Sequence, residues 1–237
     1  MRNPDPPAWV VHKFGGSSVA DAQCFERVAA IVESQPPASL PHADAPHSAP
    51  GDAPPSPRAP ARASAAAGAP SAPADRLAIV LSACKGVTDT LLELVSMAER
   101  QEPQWHERLN AVRERHAGIA AELLEAHAAA QYLDELDADL QSVSGVLQTT
   151  SVVRSAAQTV RDLVAGFGEI WSTRLFYRYL SRRGLRGGVR WLDARRCVTV
   201  ERGPLGPAVL WDASRQKLDA LLAEPGADQG AAGRDLG

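Results

Sequence analysis

The sequence has few cysteines and no long apolar run. Its three cysteines, Cys24, Cys84 and Cys197, lie far apart and show no Cys-x-x-Cys spacing, so we expect neither a disulfide framework nor a zinc site. No stretch of 18 or more apolar residues occurs, and the first eight residues carry no apolar signal-peptide core, so we expect no membrane-spanning helix and no secretion. These absences predict a cytoplasmic protein with reduced thiols.

A concentration of charge of one sign is also missing. The formal net charge is −3 over 237 residues, and the basic residues are scattered among acidic ones. Nucleic acids and anionic membrane surfaces are bound through concentrated positive charge, so the composition argues against both and favours small-molecule partners. With 45% hydrophobic residues, the chain has enough apolar surface for a sizeable core in one large domain or two small ones.

A strand, a two-glycine turn and the start of a helix follow one another between Val10 and Asp21. Gly15 and Gly16 leave the backbone without side chains, so its N–H groups can approach an anion closely, and the helix directs the positive end of its dipole to the same place. Lys13 adds a mobile positive charge at the end of the strand. The pattern differs from the Walker A and Gly-x-Gly-x-x-Gly loops, and it is typical of a phosphate site or of a tight connection without a ligand.

The order of strand, polar glycine loop and helix occurs a second time. It follows residues 34–74, which are rich in proline and alanine without an apolar period; we expect a disordered surface insertion there rather than a proline-rich docking segment. The apolar run at 76–83 then predicts a central parallel strand. A polar loop follows the strand, and Thr88 or Asp89 is expected to cap the next helix.

The rest of the chain is predicted to be mostly helical. Apolar residues at helical spacing predict helices at 20–33, 109–124, 133–147, 149–164 and 169–180, the second and third forming a hairpin against the sheet edge. Shorter patterns predict a third parallel strand at 189–193, a short strand at 197–200 and a short helix at 213–223. His106, His116 and His127 lie about three turns apart on one helix or at its end, so we expect surface or boundary histidines rather than a shared metal site. Glu169 follows a glycine pair and is expected in the first turn of its helix, where a carboxylate would stabilise the helix dipole.

Four segments of the chain resemble the aspartate kinases of the amino-acid kinase superfamily, in the same order. They are Lys13–Asp21, Leu81–Asp89, Gly168–Ser172 and Trp191–Arg195. The last two are most similar to bifunctional enzymes in which aspartate kinase is fused to homoserine dehydrogenase. The resemblance implies a three-layer α/β/α amino-acid kinase fold with a mainly parallel sheet, incomplete at its C-terminal, nucleotide-binding half. It also implies phosphorylation of the β-carboxylate of L-aspartate by ATP with Mg²⁺, the first step of lysine, threonine and methionine biosynthesis.

The same resemblance implies roles for individual residues. The phosphate and ATP-binding residues would all lie in or beside the first glycine turn; they are Lys13, Gly15, Gly16 and Ser17. Lys13 would be the catalytic residue, neutralising charge on the transferred phosphoryl group. On the substrate side, Ser82 and Thr88 would hold the carboxylate of aspartate, and Glu169 would accept its ammonium group.

The resemblance ends near Arg196. Later segments of the family, a Gly-Arg-Gly-Gly-Ser-Asp-like segment, a Tyr-Thr-Ala-Asp-Pro-like nucleotide segment and the regulatory domains, do not occur in this sequence, so we expect a truncated chain that is inactive alone and lacks any homo-oligomer interface formed by those regions. The expected divisions are 1–33 for the first strand, phosphate loop and helix, 34–75 for the insertion, 76–212 for the remaining N-terminal half of the kinase domain, and 213–237 for a short helix and frayed tail. Two alternatives stay open: a catalytically silent module that keeps the aspartate pocket and binds a partner, and a different amino-acid kinase, such as one acting on acetylglutamate or glutamate.

Overall fold

The computed structural model describes residues 9–34, 76–185, 188–203 and 206–223. Apart from Ser34, the predicted proline-alanine insertion lies outside the described residues, and so does the C-terminal tail beyond residue 223. The strands are β1 (Trp9–Phe14), β2 (Arg76–Leu81), β3 (Val200–Gly203) and β4 (Gly206–Val209). The helices are α1 (Ala22–Glu33), α2 (Val87–Glu99), α3 (Trp105–Leu123), α4 (Ala126–Val153), α5 (Gln158–Ser181), α6 (Ala194–Cys197) and α7 (Trp211–Ala223), and a 3₁₀ turn spans Gly16–Val19.

β1 and β2 form a parallel sheet, as predicted. Within the described residues this sheet contains only these two strands, so β2 is an edge strand and the prediction of a central strand is wrong. Their register runs from Trp9 opposite Arg76 to Phe14 opposite Leu81, so both strands end at the same edge of the sheet. One face of this sheet remains open to solvent, where the side chains of Val11 and Val80 are 62% and 49% exposed. The loops that follow the two strands therefore start side by side at the carboxyl edge, where ligand sites of open α/β sheets form.

Four long helices enclose the main core beside the sheet. α2 contributes the fully buried Leu91, Leu94 and Val95, whose spacing of three and four residues places them on one face of a helix. α3 and α4 form the predicted hairpin. The sequence predicted that this hairpin packs against the sheet edge, whereas in the structure it packs against α2 and α5. The helices thus support α5, which in turn contacts β2.

Several helix boundaries differ from those predicted. α2 begins at Val87, so Thr88 and Asp89 lie in its first turn and do not cap it. The helix predicted at 149–164 is divided at Arg154, which adopts a left-handed φ of 55°. α5 continues without a break through the glycines before Glu169, so the expected glycine turn is wrong, and so is the interpretation of Glu169 as an N-terminal carboxylate acting on the helix dipole.

The predicted third parallel strand does not form. Residues 188–193 have no regular secondary structure, since they pair with neither β1 nor β2. The Trp191 side chain instead contacts α5, where its indole N–H donates to Thr173 Oγ1 at 3.1 Å. After α6, β3 pairs with β4 in an antiparallel hairpin, which places the strand expected at 197–200 mostly later in the chain. The short helix expected at 213–223 is confirmed as α7.

His116 corrects the expectation of surface histidines. His106 and His127 are exposed, but His116 is completely buried. Its ring lies edge-on to Trp171 with centroids 5.5 Å apart, and Nδ1 lies 2.8 Å from the carbonyl oxygen of Val112. Burial lowers the pKa of His116, so the neutral imidazole is part of the core between α3 and α5.

Candidate active site

Two loops at the carboxyl edge of the sheet lie directly against each other. The first loop is residues 15–21 after β1, and the second loop is residues 82–86 after β2. A Cβ atom added to Gly16 would lie 2.9 Å from the carbonyl oxygen of Ala83 and 3.4 Å from the Cα of Lys85. No side chain fits in that space without displacing backbone, so the glycine allows the backbones of the two loops to meet.

The Lys13 ammonium group lies over the glycine turn of the first loop. Lys13 is an exposed residue near the end of β1, and its Nζ atom lies 3.8 Å from the position that a Cβ of Gly15 would occupy. Ser17 is exposed on the 3₁₀ turn that follows. A cation beside a backbone without side chains is an arrangement suited to binding an anion such as a phosphate.

The start of α1 is fixed by its own capping residue. Asp21 accepts a hydrogen bond from the backbone N–H of Cys24 at 2.8 Å, and hydrogen bonding from Cys24 holds the pKa of the Asp21 carboxyl below its usual value. An ionised aspartate at this position satisfies a helix N–H and interacts well with the positive end of the helix dipole. The first loop is therefore anchored at both ends, to β1 and to α1.

α5 packs tightly on the second loop at Gly168. A Cβ on Gly168 would lie 2.7 Å from the Cβ of Ala83 and 3.2 Å from Cγ1 of Val87. One turn further along, the Ser172 hydroxyl donates to the carbonyl oxygen of Ser82 at 2.8 Å. The half-buried Glu169 lies on the helical turn between these two contacts, so the turn that carries it is held against the second loop.

The segment around Trp191 attaches to the same turn of α5. Thr173 donates its hydroxyl hydrogen to the carbonyl oxygen of Glu169 at 2.7 Å and accepts a hydrogen bond from the indole N–H of Trp191. The guanidinium of Arg174 lies 5.1 Å from the centre of the Trp191 ring and pairs with Asp139 at 2.5 Å. All four segments that resemble the kinase family are thus connected through α5 or through the contact between the loops.

Arg115 is a residue of this region that sequence reasoning missed. It lies on α3, and its guanidinium donates to the carbonyl oxygen of Lys85 at 2.7 Å and to that of Ala20 at 2.9 Å. One acceptor belongs to the second loop and the other to the first. Because Arg115 is 95 residues from Ala20 and stands in an ordinary charged helix, no local pattern of the sequence could reveal this contact.

The predicted site residues are brought together in part. Gly16 contacts the second loop, which begins with Ser82. Thr88 lies in the first turn of α2, next in sequence to Val87, which packs against Gly168 of α5. These contacts define the surroundings of the predicted residues, whereas the roles assigned to their side chains stay predictions.

The cysteines of the described residues form no disulfide bond. Cys24, Cys84 and Cys197 are free thiols and all are buried, and burial raises the pKa of Cys84 to about 11, so this thiol stays protonated. Within the part of the chain that the structure describes, no three His, Cys, Asp or Glu side chains are grouped so as to hold a metal ion. None of the helices described here is long and apolar enough to cross a membrane.

Comparison with known proteins finds relatives of one kind. No protein-family model matches the chain. It is 25% identical over 197 residues to the chloroplastic bifunctional aspartokinase/homoserine dehydrogenase 1 of Arabidopsis thaliana, a match that covers 83% of this chain and 17% of the relative. It is 27% identical over 192 residues to the bifunctional aspartokinase/homoserine dehydrogenase 2 of Escherichia coli K12, covering 81% of this chain and 18% of that protein.

Solved structures agree with these relatives. The fold matches E. coli aspartokinase III in complex with aspartate and ADP with a TM-score of 0.64 at 22% identity, over 91% of this chain and 38% of that one. The complex of the same enzyme with lysine and aspartate matches with a TM-score of 0.63 at 23% identity. The chain is aspartate kinase-like.

The aspartate kinase-like chain has the predicted fold class in partial form. It is an α/β structure with parallel strands, rich in helices, and corresponds to part of the amino-acid kinase fold of the solved aspartokinases. It spans less than a fifth of the length of the curated relatives that it matches.

Proposed function

We propose that this chain supplies the phosphate loop and the aspartate-binding side of an aspartate kinase-type phosphotransferase. The observation that carries the proposal is the convergence of three segments at one edge of the sheet: Gly16 of the first loop against Ala83, and the Glu169 turn of α5 against the same second loop. The same segments, in the same order, carry the resemblance to the aspartate kinases. Relatives that combine aspartokinase with homoserine dehydrogenase support this assignment.

Lys13 and the glycine turn would act on the phosphoryl group. Phosphoryl transfer spreads negative charge over three equatorial oxygens, and catalysis consists mostly of positioning and electrostatic stabilisation. The residues fit this task, because the Lys13 ammonium group lies over Gly15 and neither glycine of the turn carries a side chain of its own. Lys13 would neutralise the developing charge while backbone N–H groups of Gly15 and Gly16 donate to the phosphate oxygens. Ser17 would contribute a further donor.

The second loop and α5 would hold the acceptor. In this proposal the hydroxyl groups of Ser82 and Thr88 donate to a carboxylate of L-aspartate, and the carboxylate of Glu169 accepts from its ammonium group. The close packing of Gly168 against Ala83 sets the distance between the second loop, which carries Ser82, and the turn of α5 that carries Glu169. Holding the acceptor carboxylate in line with the phosphoryl group is worth roughly 7–11 kcal/mol of barrier in well-aligned reactions.

The nucleotide, the metal and the cellular role complete the proposal. ATP would be the phosphoryl donor, as the ADP bound to the solved aspartokinase suggests, and Mg²⁺ would arrive on its phosphates and neutralise part of their charge.

We place the reaction in the cytoplasm, since the three cysteines are free and thiols persist in reducing compartments. Its product would enter lysine, threonine and methionine biosynthesis. We keep the predicted divisions at residues 33, 75 and 212 as proposed domain boundaries; the last of them falls within the first turn of α7.

Trapping the acyl phosphate tests this function. Aspartyl phosphate formed from L-aspartate and Mg²⁺-ATP is captured as its hydroxamate, with Lys13→Met as the blank. We expect none from the 237-residue chain, which lacks a recognisable nucleotide half. We expect turnover from a fusion of residues 1–212 to the remaining kinase part of the E. coli bifunctional relative.

The fusion needs two controls. The unaltered E. coli enzyme is the positive control, and binding of ADP by the fusion verifies that its nucleotide half has folded. A fusion that binds ADP but forms no hydroxamate above the blank would contradict the proposed function and favour the silent aspartate-binding module. Hydroxamate from the 237-residue chain alone would place the nucleotide site within residues that we have assigned to the tail.

A further inference from the structure

We propose that Arg115 is a positioning residue that fixes the phosphate loop and the aspartate loop relative to each other. The inference rests on the proposed function, since it concerns the spacing between the two halves of that site. Arg115 would touch neither substrate. It would act through the backbone of the two loops that do.

The guanidinium of Arg115 connects two segments that have no covalent link nearby. Its two terminal nitrogens donate separately, one to the carbonyl oxygen of Ala20 and the other to that of Lys85. Ala20 directly follows the 3₁₀ turn in the first loop, and Lys85 lies within the second loop. The same two loops also meet where Gly16 lies directly against Ala83.

Arg115 is exposed, as is Arg108, whereas Arg113 is half-buried; what distinguishes Arg115 from these two arginines of α3 is the kind of acceptor that it binds. Arg108 pairs with Glu93 of α2, and Arg113 forms two hydrogen bonds to Asp137 of α4. Both interactions join one helix to the next through exposed or partly exposed carboxylates. Arg115 instead donates to two main-chain carbonyl groups, and a charged donor makes a stronger hydrogen bond than a neutral one.

The chemistry of the side chain explains why an arginine serves here. A guanidinium is planar and presents several donors in a rigid fork, so one group can bind two acceptors at a fixed separation. A lysine keeps the charge, but its ammonium is a single point on a flexible stem. Loss of the fork would leave the loops in contact mainly at Gly16, and the distance between phosphoryl donor and acceptor carboxylate would vary.

Amide hydrogen exchange measured by NMR on the 237-residue chain tests the structural part. Two amides report on the loops: the Ser18 N–H donates to the carbonyl oxygen of Gly15 within the first loop, and the Val87 N–H, at the start of α2, donates to the carbonyl oxygen of Cys84 in the second loop. In Arg115→Ala we expect both amides to exchange at least about tenfold faster, while amides in the middle of α4 and α5 keep their rates. Arg108→Ala is the matched control and should leave all of these rates unchanged. Arg115→Lys should fall between wild type and Arg115→Ala.

A binding measurement tests the link to the site. L-Aspartate affinity, measured on the same samples, should fall about fivefold or more in Arg115→Ala, less in Arg115→Lys and not in Arg108→Ala. Ethylguanidinium added to Arg115→Ala should restore both the slow exchange and part of the affinity, which a general loss of stability would not allow. If Arg115→Ala does not fold, Arg115→Lys carries both measurements.

The outcomes separate the two proposals. Unchanged exchange at Ser18 and Val87, or an equal acceleration of every amide, would overturn the positioning role. Faster loop exchange with unchanged aspartate affinity would also overturn it, because the loops would then move without consequence for the site. If even the wild-type chain binds no aspartate, while the loop amides exchange faster in Arg115→Ala as expected, the proposed function fails. The hydrogen bonds of Arg115 to the two loops then stand as a structural feature only.

Discussion

Adding a single methyl group to α5 tests whether the helix lies against the second loop as closely as described. Gly166 and Gly168 both lie within α5, so replacing either by alanine gains about 1 kcal/mol of helix propensity. A Cβ at Gly166 meets nothing within 4 Å, whereas one at Gly168 would lie 2.7 Å from the Cβ of Ala83. Two chemically identical changes on one helix therefore differ only in the space around them.

The expected effects have opposite signs. Gly166→Ala should stabilise the protein by about 1 kcal/mol. In Gly168→Ala the same gain is set against overpacking, which costs about 1–3 kcal/mol when a methyl group is forced into a packed interior. Because Ala83 is itself a short side chain next to backbone, it cannot move aside cheaply. The two variants should thus differ by about 1–3 kcal/mol, with Gly168→Ala the less stable.

Thermal and urea unfolding of both variants beside the wild type measure this difference. For a chain of this size about 1 kcal/mol corresponds to roughly 2–4 °C in Tm, so Gly166→Ala should melt a few degrees above wild type and Gly168→Ala at or below it. Equal stabilisation of both variants would refute the close packing of α5 on the second loop. The position of Glu169 would then lose its structural basis.

Three further predictions concern single side chains. In the fusion enzyme, Lys13→Met should lower kcat by orders of magnitude with little change in aspartate binding; retention of more than about a tenth of kcat, roughly 1.4 kcal/mol of barrier, would remove Lys13 from catalysis. Glu169→Gln should raise the KM for aspartate far more than the KM for ATP. An equal rise in the two KM values would argue against contact between the Glu169 carboxylate and the ammonium group of aspartate. Burial lowers the pKa of His116, so the folded state binds fewer protons than the unfolded state below about pH 6.5, and stability should fall with decreasing pH by up to about 1.4 kcal/mol per unit. Urea unfolding should show a weaker pH dependence in His116→Gln but not in His106→Gln, and an unchanged slope in His116→Gln would contradict this.

The regular elements could largely be predicted from the sequence because their patterns are local. The apolar spacing in α1, α2 and α7 and the branched residues of β2 each follow from a few neighbouring positions. The strand expected at 189–193 rested on three apolar residues among two charged ones; in the structure this segment pairs with neither β1 nor β2, and the indole of Trp191 hydrogen-bonds to Thr173 on α5. A tertiary partner of this kind overrides local preference.

The site shows the same limit more clearly. The glycines before Glu169 were interpreted as a turn, since glycine is unfavourable inside a helix. In the structure Gly168 is required by its close approach to Ala83, a residue 85 positions earlier in the sequence. The motif residues could be named from the sequence, but the packing that brings their segments together depends on long-range contacts that only the fold reveals.

Residue-resolved aspartate binding by the 237-residue chain tests the central claim most directly. In an NMR titration with L-aspartate, the account predicts saturable shifts at the amides of Ser82, Thr88 and Glu169. Succinate, which has the two carboxylates but no ammonium group, should bind at least about tenfold more weakly, because the charge-assisted hydrogen bond to Glu169 is lost. Equal affinity for both ligands, or shifts that do not saturate or that lie elsewhere, would contradict an aspartate site at this edge of the sheet.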